Sequence, residues 1–523
     1  MDARLIVFCL CLTATAVFAQ APPKVGDVAF SSDFEKQTDR DAWPKHPLAQ
    51  WVTVEGHGQC LQFTVPPDQL EMTNMISIPI DLTPYRGYTL LFECRAKADN
   101  VSKPPANYLG VKYMLHYVSP AEGGFWTNQN DVYGTFDWKP LQFSTRIAPD
   151  ATTGELTLGL QNCSGAVTFD DLKVTVAKLP PPPRPKPMLN PPPAFRGHDL
   201  PRLRGVMSPN TFKEEDFRIL GQEWNANVIR WQMTRNWGQS GTERDLVEYD
   251  KWFNAELEDL DKVLDAARRY GLKVVVDMHS PPGGRYANKD LAIFNEKLYQ
   301  DHWLALWEQM ARRYKGNPAV WGYDLINEPV QNLPSRDGVA DYFEGQVRVA
   351  KAIRAIDPVM PIFIESAQWD SSQGYKEMQP VNLPNMIYQV HMYDPGEFTH
   401  QGVRGPTPPI TYPGKISGVE WNKDQIRKNL QPVRDFQLAY NTHIYVGEFS
   451  AIRWAPGAEK YLSDCIDVFE EYGWDWTFHA YREWDGWSLE HGPDKDDSKP
   501  TTEPTIRKQA VLNWFAKNVK PKY

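Results

Sequence analysis

Two rhythms of apolar and polar residues divide the chain. From residue 24 to 178, apolar and polar positions alternate in short runs: WVTVEG, CLQFTV, MISIPI, YTLLFECRA, YLGVKYMLHYV, LQFSTRI, ELTLGL and AVTFDDLKVTV. A period of two buries one face of each run, and Gly, Pro, Asn or Asp separates most of them. This segment is expected to be an all-β sandwich of the jelly-roll type. From residue 196 to 523 the rhythm changes. Near-continuous apolar runs of strand length appear at LRGVMSP, ANVIRWQ, LKVVVDMH, VWGYDLINEP, PIFIESA, NMIYQVHMY, HIYVGEFS and GWDWTFHAY. Amphipathic stretches such as WFNAELEDLDKVLDAARRY and HWLALWEQMARRY lie between them, and TIRKQAVLNWFAKNV follows the last. Runs apolar on both faces, interleaved with helices, predict parallel strands closed into a (β/α)8 TIM barrel. A doubly wound sheet is the alternative, but no G-x-G-x-x-G follows the first run.

A proline-rich linker separates the two rhythms. Nine of the fifteen residues from Leu179 to Pro193 are proline. Proline fixes φ and lacks an N–H, so residues 179–193 read as extended polyproline II, a semi-rigid spacer of up to roughly 45 Å. The chain is therefore multidomain. Residues 1–19, MDARLIVFCLCLTATAVFA, have one Arg before an apolar run and small residues at Val17 and Ala19. They read as a signal peptide, which predicts a secreted or periplasmic protein. Four cysteines remain beyond it: Cys60, Cys94, Cys163 and Cys465. Export permits one disulfide among the first three; buried free thiols are the alternative.

Charge narrows the function classes. With 56 Lys+Arg against 66 Asp+Glu, the net charge is −10. No basic excess exists to neutralise phosphates, so nucleic acid is not expected as a partner. No apolar run beyond the N-terminus could insert in a membrane. Nineteen Trp, 23 Tyr and 23 Phe argue against disorder and hint at sugar stacking. A monomer is expected.

Barrel chemistry sits at the C-terminal ends of the strands. Those ends supply Arg230 and Trp231, His279, Asn327 and Glu328, His391 and Tyr393, and Glu448, with Trp484 just past the eighth. Two carboxyls at a barrel mouth are what glycosidic cleavage requires: one protonates the leaving oxygen and the other attacks or activates water. Asn, His and Arg hold hydroxyls, and Trp gives a sugar ring a floor. DKDDSKP (494–500) has too few spaced oxygens for calcium, and neither H-E-x-x-H nor G-x-S-x-G occurs. No metal and no cofactor are expected.

GYDLINEP (Gly322 to Pro329), VVVDMHSPPGG (Val274 to Gly284), QVHMY (Gln389 to Tyr393) and YVGEFS (Tyr445 to Ser450), in this order, resemble the family five glycoside hydrolases of clan A, the cellulase-like retaining β-glycanases. The resemblance covers residues 196–523. It implies Glu328 as acid/base and Glu448 as nucleophile. Asn327 would bind the sugar 2-hydroxyl, and Arg230 would orient and ionise Glu448, which Tyr393 also contacts. His279 and His391 would line the glycone-side subsite. The family pattern puts tryptophan near His479; that departure moves the expected stacking ring to Trp484. A retaining mechanism needs the carboxyl groups about 5–5.5 Å apart. FSSDFE and FDDLKVTV make residues 24–178 resemble jelly-roll carbohydrate-binding modules, with Tyr108, Tyr113, Trp126 and Trp138 as an expected sugar platform.

Long connections at Gln232 to Asp250, Ser280 to Lys297 and Asp394 to Asn422 could close one end of a cleft into a pocket. DMHSPPGG also resembles the exo-glucanase branch of the family. Such a pocket would favour an exo-acting enzyme or a branched substrate, and the expected partner is a β-glycan or oligosaccharide substrate. The alternative is a non-catalytic carbohydrate-binding or scaffold protein with a decayed barrel. Intact Glu328 and Glu448 speak against it, because binding alone does not need both.

Overall fold

The computed structural model describes residues 21–187, 189, 191, 193–208, 211–236, 239 and 241–523. The expected signal peptide lies outside them. The chain falls into two compact units, the first ending at Pro181 and the second beginning at Pro182.

The first unit is an antiparallel sandwich. Its strands are β1 (Val28–Ser32), β2 (Ala49–Val54), β3 (Gly58–Val65), β4 (Met75–Asp81), β5 (Thr89–Val101), β6 (Gly110–Ser119), β7 (Gly123–Asn128), β8 (Gly134–Arg146), β9 (Thr153–Gln161) and β10 (Gly165–Lys178). One sheet runs β2-β3-β10-β5-β8 with β1 beside β10; the other runs β4-β9-β6-β7. Alternate residues such as Phe63, Phe92, Leu115, Leu158 and Val174 meet between the sheets. The four expected platform aromatics do not share one surface. Tyr113 is only 2% exposed and belongs to the core. Trp126, 64% exposed, stacks on His116 in the smaller sheet, while Trp138 stacks on His57 in the larger. Alternation alone does not say which face of a strand meets the other sheet. Cys60, Cys94 and Cys163 are buried and free, as is Cys465 in the second unit.

The second unit is a closed parallel barrel of β11 (Arg204–Met207), β12 (Val228–Gln232), β13 (Lys273–Asp277), β14 (Val320–Asp324), β15 (Ile362–Glu365), β16 (Met386–Met392), β19 (Ile444–Phe449) and β20 (Asp475–Phe478). A two-stranded ribbon, β17 (Gly414–Ile416) and β18 (Val419–Trp421), stands in the connection after β16. Helices start and stop where the side chains dictate. Asp245, Asp341 and Asn422 accept N–H groups at the starts of the helices 246–270, 342–356 and 423–440, and left-handed Gly271 ends the first. No helix of comparable length follows β15; residues 367–376 form two short helical turns.

The barrel interior is layered. Val228, Val275, Trp321, Phe363, Ile387 and Tyr445 fill its lower layer. Two residues further along the strands come Arg230, Asp277, Glu365 and Gln389, all with no exposure. Polarity therefore begins one layer below the mouth. The proline-rich segment is not a free spacer throughout. Pro182 and Pro185 accept hydrogen bonds from Gln379 and Tyr440, and Arg184 donates to the Tyr375 carbonyl. Proline lacks a donor but keeps its acceptor, so residues 182–185 strap onto the helical side of the barrel.

Candidate active site

Register shifts within two strands aim the acidic side chains inward. Along β19, Tyr445 faces the barrel core and Val446 the helices. Strict alternation would turn Glu448 toward the helices. The register against β16 instead jumps from Val390↔Val446 to His391↔Glu448, leaving Gly447 as a bulge. Glu448 thereby points into the barrel. A Cβ on Gly447 would lie 2.6 Å from the Gln389 side chain, so a larger residue would force Gln389 or the strand to shift. A register shift recurs on β14, between Val274↔Val320 and Val275↔Gly322, and Asp324 beyond it also faces Arg230.

Arg230 is the hub of the site. It is fully buried and donates to Asp324 (2.9 Å), Glu448 (2.7 Å) and the Asn327 amide oxygen (2.9 Å). Asp277 and Glu365 lie 3.2 and 3.4 Å from its Nη2. One guanidinium cannot balance four carboxylates, so the protons distribute unequally. Burial, with Asp324 and Asp370 nearby, pushes Glu365 well above the usual carboxyl range. Burial also raises Asp324, to about 6. Burial opposes ionisation of Glu448 as well, but the fields of His391, His479, Arg230 and His279 outweigh it and hold Glu448 well below its ordinary value. Tyr393 donates to its second oxygen at 2.8 Å.

Glu328 stands in the left-handed region, φ +51°, which costs a non-glycine residue about 1 kcal/mol or more. Its surroundings fix it there. Glu365 accepts its N–H at 2.6 Å, and Arg285 donates to the carbonyls of Asn327 and Glu328 at 3.1 and 2.9 Å. Just upstream, the indoles of Trp303 and Trp307 both donate to the Leu325 carbonyl. The Glu328 carboxylate faces His391 Nδ1 at 3.2 Å. His391, Glu328 and Glu448 each offer an atom within 4.8 Å of the other two. A cation held there would compete with Arg230 and Tyr393, which already occupy both oxygens of Glu448.

The remaining predicted residues fall on either side of this pair. His279 pairs with Asp277 at 2.9 Å and meets the Asn327 amide nitrogen at 3.3 Å. Trp484 is 40% exposed and meets Trp454 and Trp487 edge-on. Trp487 is the ring beside Tyr393 (6.2 Å) and His479 (5.6 Å), so Trp484 stands one ring further out than expected. His479 pairs with Glu483 at 3.3 Å. Burial disfavours its charge, but Glu483 and Glu448 raise it to about 9.

Glu365 and Trp369 were not singled out in the sequence. Glu365 ends an apolar run as Glu448 does, and that was its signal. Trp369, in a stretch of three left-handed residues, lines a pocket of about 1010 Å³ together with His279, Asn327 and Glu328. Most of the lining comes from the long connections after β12 and β13, with Asn327 and Glu328 following β14, Trp369 following β15 and Arg404 from the connection after β16.

A barrel whose mouth pairs an ionised glutamate with a second glutamate beside a sugar-sized pocket has the form of a glycoside hydrolase. The model of the cellulase family, glycosyl hydrolase family 5, matches residues 194–488. The chain belongs to glycosyl hydrolase family 5 and is a glycoside hydrolase of β-glycans. Endoglucanase C of Acetivibrio thermocellus is 27% identical over 241 residues, 41% of this chain and 69% of the relative. Cellodextrinase A of Ruminococcus flavefaciens is 25% identical over 284 residues, 53% of this chain and 80% of its own. A solved structure described as a glycoside hydrolase, 21% identical, aligns over 60% of this chain and 99% of its own with a TM-score of 0.48.

Proposed function

We propose that this chain is an exported, retaining β-glycosidase that removes units from glycan ends. The observation that carries the reading is the pair itself. Glu448 is kept ionised by its surroundings, and its oxygens come within 4.8 Å of those of Glu328. That spacing suits direct attack better than an intervening water. In the first step the Glu328 carboxyl protonates the leaving oxygen while Glu448 attacks the anomeric carbon. The C–O bond breaks and a glycosyl ester forms on Glu448. In the second step Glu328 takes a proton from water, the water attacks the same carbon, and Glu448 leaves. Two inversions return the β configuration. Asn327, held by Arg230 and His279, is the group available to a sugar hydroxyl beside the ester. Neither step calls on a cofactor. The pocket, walled mainly by the long connections after β12 and β13, supports action at chain ends, and the apolar N-terminal run supports export.

E328Q and E448Q are expected to lose about 10²-fold or more in kcat on substrates with poor leaving groups. With azide, E448A is expected to form an α-glycosyl azide and E328A a β-glycosyl azide. The opposite configurations would exchange the two roles, and undiminished turnover in either Gln variant would remove it from catalysis. Short products released from the outset, without a fall in polymer viscosity, are expected of exo action.

A further inference from the structure

The pocket beside Glu328 carries the wrong charge for its chain. Five cationic side chains line it, Arg235, Arg244, Arg285, Lys289 and Arg404, against two carboxylates, Glu243 and Glu328, in a protein of net charge −10. Burial favours the neutral form of Glu243, which thins the counter-charge further. Among the described residues, none of the five cations forms an ion pair within 4.0 Å, although most arginines elsewhere in the barrel do. Arg285 spends its donors on backbone carbonyls and lies over Trp369 at 4.7 Å. Arg244 lies over Tyr286 at 5.0 Å. Arg235 has no carboxylate partner among the described residues either. Its Nε and Nη1 are shut off from solvent and have no hydrogen-bond partner among the described residues. The half-buried guanidinium lies over the rings of Tyr249 and Trp252, and a cationic side chain without a carboxylate partner can pair with an anion that enters the pocket. A concave cationic wall also focuses its field on an entering anion.

We infer that this pocket is an anion-binding subsite, and that the glycan cleaved here carries a carboxylate or a sulfate ester on the sugar unit it holds. The inference rests on the reading of Glu328 and Glu448 as the catalytic pair, since it places the anion next to Glu328. Planar guanidiniums recognise both groups through paired N–H donors, which a neutral hydroxyl accepts far less well.

The test uses the full chain. Its rates are measured on a β-linked glucuronan and a sulfated β-glucan, each against its carboxyl-reduced or desulfated counterpart. Binding of oligo-β-glucuronate, sulfated cello-oligosaccharide and plain cello-oligosaccharide is measured by titration calorimetry, which needs no turnover. The expected result is about tenfold or more in kcat/KM and in affinity for one anionic form over its neutral counterpart. Whichever pair shows it tells carboxylate from sulfate. Salt at 0.5 M is expected to erode that preference, and R235Q to lower it at least tenfold. R244Q and R404Q, both at exposed positions, repeat the test should R235Q fail to fold. Equal rates and equal affinities for charged and neutral forms would overturn the subsite. In that event, E328Q inactive on every substrate keeps the catalytic reading, whereas E328Q as active as wild type overturns that reading as well.

Discussion

At the scale of single residues, the site divides charge rather than pairing it. Arg230 touches four carboxyl groups, and burial lifts Glu365 and Asp324 while cationic neighbours depress Glu448. His479 belongs to the same balance, raised to about 9 from an ordinary 6.5 against the burial that opposes it. A histidine whose pKa rises on folding stabilises the fold fully below its unfolded value, and that share is lost as pH climbs through the folded one. The melting temperature is therefore expected to fall between about pH 6.5 and 9, and H479Q to flatten that slope. H479Q also removes a positive field from Glu448, so the acid limb of kcat/KM is expected to move to higher pH. A slope and a limb identical to wild type would show that His479 is neutral in the folded protein. Glu328 and Glu448 were legible in the sequence because a charge ending an apolar run has few structural uses. Glu365 carries the same signal, but a carboxyl that fixes another residue's backbone looks no different in sequence from one that reacts. Choosing among Trp484, Trp487 and Trp369 needed the folded loops, since each lies in a connection without periodicity.

At the scale of elements, all eight apolar runs of the second half became barrel strands, because parallel strands covered on both sides leave a continuous mark. In the sandwich, β1 and β7 escaped notice; FWTN and VAFSS are short and lack strict alternation. What alternation cannot reveal is a bulge. Gly447 reverses the parity of β19 and sends Glu448 inward, and its only trace in the sequence is a glycine inside a strand. G447A would bring a Cβ to 2.6 Å of Gln389, the residue that also bonds Glu365 and meets His391. Something must shift, and the nearest consequence is displacement of Glu448. We expect a stability loss of about 1–3 kcal/mol and a fall of about 10²-fold in kcat, as for a misplacement near 1 Å. Full activity with the stability loss would mean that the strain relaxes toward Gln389 and leaves Glu448 in place.

At the scale of the whole molecule, every group in the proposed chemistry lies within Pro182–Tyr523, and the boundary between units falls inside the proline run. Proline content marked that boundary in the sequence, but it could not show that residues 182–185 adhere to the barrel. Their contacts use proline carbonyls, and acceptors leave no pattern along a chain. Two truncations separate the roles. A chain starting at Pro182 is expected to keep kcat/KM on a small soluble glycoside within about twofold, since it keeps the whole site and its pocket. A chain starting at Arg196 loses the bonds from Gln379, Tyr440 and Arg184. At about 1 kcal/mol each before exposure is discounted, that is a few degrees in melting temperature, with the small-substrate rate unchanged. Sugar binding by the sandwich would show as a selective loss on polymer in both truncations, because only tethering is removed. The separated positions of Trp126 and Trp138 and the burial of Tyr113 argue against a shared platform, so no selective loss on polymer is expected. A fall on the small glycoside at full folding would mean that the sandwich reaches the active site.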